Sequence, residues 1–298
     1  MSRLQADLLL LVAAIIWGTA FIAQKTGMEG LGPYTFIGIR FVLSFLVVLP
    51  FSLRELRNRK AAAKSIGSGW VVLLCASFTL GVIFQQVGIQ HTSVTNAGFL
   101  TGLYVVGVPL VAWLLFRRPP AWIMAPICLL AVSGAWLLNG ASLTTFRSGD
   151  LMIIVCAICF SVQVVMLGHI VQKTGLPFAY SVLQSAVCAI AALALAFVLE
   201  DISMAAIIAN APQLIYAGVI SGGIAYTLQA VCQQHTPPAD AAIILSGEAL
   251  FAALAGVWLL GDHLDPIGWL GCGLILAAIL LVEVGTVYLS RRRILKRT

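Results

Sequence analysis

Between Lys64 and Arg117 the chain carries no formal charge. A helix crossing the hydrocarbon core of a bilayer uses about 20 mostly apolar residues, so this stretch is too long for one crossing and must fold back on itself. Gln90-His91-Thr92 is the polar break available for the turn. The rest of the chain reads the same way: 61% of residues are hydrophobic and 9% charged, against roughly 25% charged in a soluble domain. The formal net charge is +6. Its basic residues fall in short runs between apolar stretches, as membrane loops require, and form neither a face nor a binding motif. Nucleic acid is therefore excluded as a partner, and the lipid bilayer is the expected one.

Ten spans are predicted, at 6–24, 33–53, 69–89, 93–116, 121–138, 150–170, 177–199, 212–232, 239–260 and 266–288. With both termini cytoplasmic, fourteen of the seventeen Lys and Arg face inside, as the positive-inside rule demands. They include Arg54, Arg57, Arg59, Lys60 and Lys64 after span two, Arg117 and Arg118 after span four, and a basic cytoplasmic tail at 289–298. Lys25 and Arg147 fall outside, and Arg40 lies within span two. The run from Leu8 to Ala23 has no clean cleavage site after it and reads as an uncleaved first span.

Seven cysteines lie within apolar stretches, an odd number without a disulfide pattern. Cys156 and Cys159 form a CxxC in an uncharged setting that does not favour a thiolate, so they read as small buried hydrophobes. HExxH and GxSxG are both absent, and His91, His169, His235 and His263 sit at span ends or in loops. An intramembrane hydrolase would need a base deep beside a nucleophile, so an enzyme is not expected. No GxxxxGK[ST] loop is present, which excludes primary active transport by this chain alone. No cofactor is implied.

The two halves repeat each other. QKTG occurs at 24–27 and 172–175, and QHT at 90–92 and 234–236. Pro33 and Pro177 each open a second span, and Gln85 and Gln229 each lie five residues before a QHT. The first repeat spans 6–139 and the second 150–288. Five helices is an odd number, so the second copy enters the membrane from the opposite side. The expected fold is therefore an all-α polytopic membrane protein of two inverted five-helix repeats. Inverted repeats place a substrate site near the midplane between them and give two conformations of opposite facing.

These features resemble the ten-helix, EamA-type members of the drug/metabolite transporter superfamily. The resemblance is carried by AAIIWGTAFIAQK in span one, IGIRF in span two, TSVTNAGFLTGLYVVGVPLVAWLLF in span four and ADAAIILSGEALFAALAGVWLLGDHL in span nine. It implies export of amino acids or related metabolites through a central cavity lined mainly by spans 1, 3, 4, 6, 8 and 9. Two departures stand out. Where family members often carry a proline in mid-span, Tyr104-Val105 and Glu248-Ala249 occur, with Pro109 later. Span one lacks the acid through which small four-helix relatives couple to protons, since none lies between Asp7 and Glu29.

A charge at the bilayer centre costs about 2.5–3.5 kcal/mol on insertion scales, so a retained one is a candidate for function. Glu248, deep in span nine, reads either as a partner for a substrate amino group or as a structural carboxyl between helices. Arg40 reads as snorkelling or capping carbonyls, and its repeat counterpart is Gln184. Asp240 suits the N-terminus of its helix. Trp17, Phe21 and Gln24 share one face of span one, Phe78 and Gln85 one face of span three, and Tyr226, Gln229 and Gln233 one face of span eight. With Tyr104, Phe160, Gln163 and Glu248 they outline a cavity with aromatic walls and amide hydrogen bonds. Helix-to-helix packing is the competing explanation for each residue alone. The pairs Gly98/Gly102 and Gly218/Gly222 read as close helix packing.

The expectation is a secondary exporter of small metabolites, amino acids foremost, monomeric and multi-pass in a bacterial inner membrane. The alternative substrate class is hydrophobic drugs or amines.

Overall fold

The computed structural model describes the chain except residues 59–65, 118, 120, 139–147, 261–262 and 296–298, and no side chains at 95, 260 or beyond Val282. The expected roles of Arg59, Lys60, Lys64, Arg118, Arg147 and the basic tail fall outside that description. Every regular element among the described residues is helical.

The helices are α1 (Arg3–Thr26), α2 (Pro33–Arg57), α3 (Ser68–Gln90), α4 (Val94–Gly102), α5 (Tyr104–Phe116), α6 (Met124–Leu138), α7 (Ser148–Thr174) and α8 (Pro177–Leu199). After a short α9 (Met204–Ala209) come α10 (Ala211–Ile215), a π-helical segment Tyr216–Ala225, and α11 (Tyr226–Cys232). Then follow α12 (Pro238–Leu245), α13 (Glu248–Ala255), a π-helical turn Gly256–Leu260, and α14 (Pro266–Leu295). Eight of the resulting rods are long and apolar enough to cross a bilayer, and Met124–Leu138 and Pro266–Val282 are shorter apolar helices. The chain is a polytopic membrane protein.

Two rods break at matching places. The α4–α5 rod tightens at Leu103, whose N–H donates to the Leu100 carbonyl at 3.3 Å. The α12–α13 rod tightens at Ser246-Gly247, where Gly247 N–H donates to Ile244 O at 3.2 Å and Ser246 Oγ donates to Ile243 O at 2.7 Å. Such i→i+3 turns inside a helix mark hinges or strain. No proline is needed at either break.

The packing is paired: α2 lies on α8, α3 on α7, α6 on α14, and α1 against α12, α13 and the π-helical segment. Two carboxylates cap helices across the α2–α8 pair. Glu200, just past α8, accepts from the backbone N–H groups of Tyr34 and Thr35 at 2.8 Å each and from Thr35 Oγ1 at 2.6 Å. Glu55, near the end of α2, accepts from Ala179 N at 2.8 Å and Phe178 N at 3.4 Å. Each helix thus ends beside the other's beginning, so α2 and α8 are antiparallel. The QHT segments are matched as well: Thr236 Oγ1 donates to Asp7 Oδ1 at 2.5 Å, and Thr92 Oγ1 donates to Asp150. Arg3 joins Asp7 at 3.3 Å and also pairs with Asp240 in the first turn of α12.

A helix start left without acceptors has orphan N–H groups, and losing a side-chain cap costs about 0.5–2 kcal/mol. Glu200→Ala is therefore expected to lower the thermal midpoint in detergent by several degrees, with Glu55→Ala doing the same more weakly. Scanning fluorimetry checks this, and unchanged midpoints for both would strip the caps of any stabilising role.

The glycine expectations divide. A Cβ on Gly218 would lie 2.8 Å from Leu43 Cβ and 2.9 Å from the Arg40 carbonyl, and Gly222 is similarly close to Ser44. Gly102 faces nothing within 4 Å and Gly98 meets Ala249 and Ala252 only at 3.8 Å. The Gly98/Gly102 expectation is therefore corrected: α4 ends at Gly102 ahead of the break, and no neighbouring backbone approaches it there.

Candidate functional site

The two breaks face one pocket. Thr101 and Tyr104 flank the first, Leu245 and Glu248 flank the second, and all four line it. Gln85 and Gln229 join them. The pairs Gln85/Gln229, Thr101/Leu245 and Tyr104/Glu248 share the sequence offset of Pro33 to Pro177, so repeat-mates from both halves meet here. Trp17, Phe21, Gln24, Arg40, Phe160, Gln163, Val164 and Tyr226 complete the wall. The free space is about 30 Å³, room for a water or two.

Ten of the twelve residues expected to face one cavity line this pocket. Phe78 does not: it is fully buried behind Tyr226, with edge-on ring centroids 4.9 Å apart, and packs against Phe41 at 5.3 Å. Tyr226 in turn lies 4.7 Å from the Trp17 ring. Gln233 also turns away, donating to the Val164 carbonyl at 3.1 Å.

Arg40 departs from its expected role. It is 1% exposed, so it does not snorkel, and one carbonyl is only part of its partnership. Nε donates to Ala217 O at 3.2 Å, Nη1 to Gln24 Oε1 at 3.0 Å and Nη2 to Ser221 Oγ at 3.1 Å. The Ala217 carbonyl and Ser221 belong to the π-helical segment, whose wide winding turns polar groups towards α1 and α2. Ser221 O also accepts from Trp17 Nε1 at 3.3 Å.

Elsewhere in the wall amides bond to one another and to a hydroxyl. Gln229 Nε2 donates to Gln163 Oε1 and Gln163 Nε2 to Gln184 Oε1, each at 3.3 Å. Gln85 Nε2 donates weakly to Thr101 Oγ1 at 3.4 Å. Glu248 is 4% exposed. The Tyr104 hydroxyl lies near enough to couple with its carboxyl, yet that hydroxyl, Glu248 Oε1 and Gln229 Oε1 make no hydrogen bond of good geometry. Arg40 and Glu248 line one pocket, a guanidinium and a carboxyl group, and neither is ion-paired to a described residue. Thr101, Val164, Leu245 and Arg40 were not expected here. The shared repeat offset was the signal for Thr101 and Leu245.

A bundle of membrane-length helices closed around a small polar pocket has the build of a membrane transport protein. The chain belongs to the EamA-like transporter family, whose model matches it twice, over residues 4–140 and 147–284. It is 32% identical to an uncharacterized transporter of Archaeoglobus fulgidus over 95% of this chain and 87% of that one. It is 26% identical to the uncharacterized transporter YwfM of Bacillus subtilis over 93% of each chain. Similarity to the uncharacterized inner membrane transporter YedA of Escherichia coli is 23% over 91% of this chain and 88% of the relative. A solved crystal structure superposes with a TM-score of 0.78 at 16% identity, covering 95% of this chain and 98% of that one; that likeness concerns the fold alone.

Proposed function

We propose that this transporter is a secondary exporter of small metabolites, with amino acids as its substrate class, working by alternating access through the pocket between its halves. The observation that carries the reading is Glu248: a carboxyl buried in mid-bundle, lining the pocket, with one oxygen lacking a donor. An unmatched buried acceptor needs explaining, and a substrate ammonium supplies both the missing donor and the missing charge.

The mechanism rests on ten spans arranged as two inverted five-helix repeats, 6–139 and 150–288, with both termini cytoplasmic in a bacterial inner membrane. The contacts support that path. Glu200 with Thr35, Glu55 with Ala179, Thr236 with Asp7 and Thr92 with Asp150 each join ends that ten alternating crossings place on the same side. The matched breaks at Leu103 and Ser246-Gly247 support two half-helices in each repeat that can tilt about the pocket. No cofactor enters the scheme, and a single chain carries both halves, so a monomer suffices.

Counterflow in proteoliposomes with labelled amino acids, amines and cationic dyes tests the reading. Saturable amino-acid exchange that other amino acids compete and dyes do not is the expected result. Movement of dyes or amines alone would replace the reading with drug export, which the aromatic wall of Trp17, Phe21, Phe160 and Tyr226 would serve.

A further inference from the structure

We propose that Arg40 anchors the carboxylate of the substrate, so that the pocket selects molecules carrying an anion and a cation together. The cation half rests on the reading of Glu248 above; the anion half stands on Arg40 alone.

Three observations carry it. First, the guanidinium is fully buried and lines the pocket, yet its acceptors are all neutral: a backbone carbonyl, an amide and a hydroxyl. These occupy three of five N–H groups, and with the Phe41 ring centroid 5.1 Å from Cζ they leave the guanidinium without an anionic partner, whereas buried charges in proteins are commonly paired. Second, those contacts hold the guanidinium between α1, α2 and the π-helical segment and leave one N–H on each of Nη1 and Nη2 without an acceptor. A rigid fork of that kind matches a carboxylate. Third, the charges sit where the repeats differ. Arg40 has Gln184 as its mate and Glu248 has Tyr104, so both ionisable positions of the pocket are ones at which the repeats differ. Gln184 is spent on the neutral Gln163–Gln229 chain. The first half supplies the positive pole and the second the negative one.

The test measures thermal stabilisation of the purified full-length protein by four probes with one side chain: L-phenylalanine, L-phenylalaninamide, 2-phenylethylamine and 3-phenylpropanoate, with the matching leucine series alongside. The zwitterion is expected to bind at least about 30-fold more tightly than the amide or the amine, the usual scale for deleting one partner of a buried charge pair. Arg40→Gln is expected to erase that preference, and Arg40→Lys to keep part of it. Because Arg40→Gln can also fail to fold, Gln24→Glu is the second variant. It supplies an internal carboxylate beside Nη1, and is expected to hold or raise the ligand-free midpoint while weakening the zwitterion by a similar factor. Equal stabilisation by amide, amine and zwitterion would overturn the inference and leave the carrier reading intact. Unchanged zwitterion affinity in Gln24→Glu would overturn it too, as would no stabilisation by any carboxylate-bearing probe. Binding of the propanoate alone, dependent on Arg40, would support the anion anchor and remove the amino-acid reading.

Discussion

Glu248→Gln is expected to reduce counterflow of amino acids by roughly 100-fold or more, with abundance and thermal midpoint at or above those of the unmodified protein. Glutamine is nearly isosteric, so it keeps the packing at the start of α13. What it removes is the charge. A substrate ammonium drawn into a closed pocket without its counter-charge loses about 3–5 kcal/mol, and each 1.4 kcal/mol is tenfold. Stability moves the other way, because a lone buried carboxylate is costly to fold around. A role in packing alone predicts the reverse pattern: transport near normal and stability lowered by the mismatched amide. Counterflow and scanning fluorimetry on the same preparation separate the two, and normal transport by Glu248→Gln would reduce Glu248 to a structural group.

The residues that outline the pocket were legible because helical spacing is a local property. Trp17, Phe21 and Gln24 share a face by arithmetic, as do Tyr226 and Gln229. Spacing gives a direction but not a depth, which is why Phe78 points inward yet stops one layer behind Tyr226. Gln233 illustrates the same limit. Of the two roles expected of Arg40, carbonyl capping is seen at Ala217 O and snorkelling is not: two turns into a span a long side chain can reach the interface, and only the π-helical segment, with its inward-facing carbonyl and hydroxyl, shows that it turns to the interior. That winding and the breaks at Leu103 and Ser246-Gly247 carry no proline to announce them. The caps at Glu55 and Glu200 were invisible because each meets its partner across more than half a repeat of sequence. The span count also met a length limit. Helix α6 is described over 15 residues, about 22 Å at 1.5 Å per residue, and the expected residues 121–123 are not helical.

Gly134→Val is expected to abolish recovery of monodisperse protein, and Gly134→Ala to lower the thermal midpoint by an amount matching at least about 2 kcal/mol. The reason is backbone contact between α6 and α14. A Cβ on Gly134 would lie 2.8 Å from the Gly271 carbonyl oxygen and 2.9 Å from Ile275 N, and a Cβ on Gly271 would meet Leu138 N at 2.6 Å. These neighbours are main-chain atoms, so no rotamer change relieves the clash and the helices must separate. Separation opens the seam formed by Ile127, Ala131, Ala135 and Ile275, all buried. Gly102→Ala is the matched control, because its Cβ meets nothing within 4 Å and alanine is favoured over glycine in a helix by about 1 kcal/mol. It should hold or raise the midpoint. The opposite signs expected of one substitution at two glycines separate contact from propensity: size-exclusion profiles and midpoints that fall together at both sites would mean the loss reflects helix bending near the pocket, and equal tolerance at both would mean α6 and α14 do not pack through Gly134.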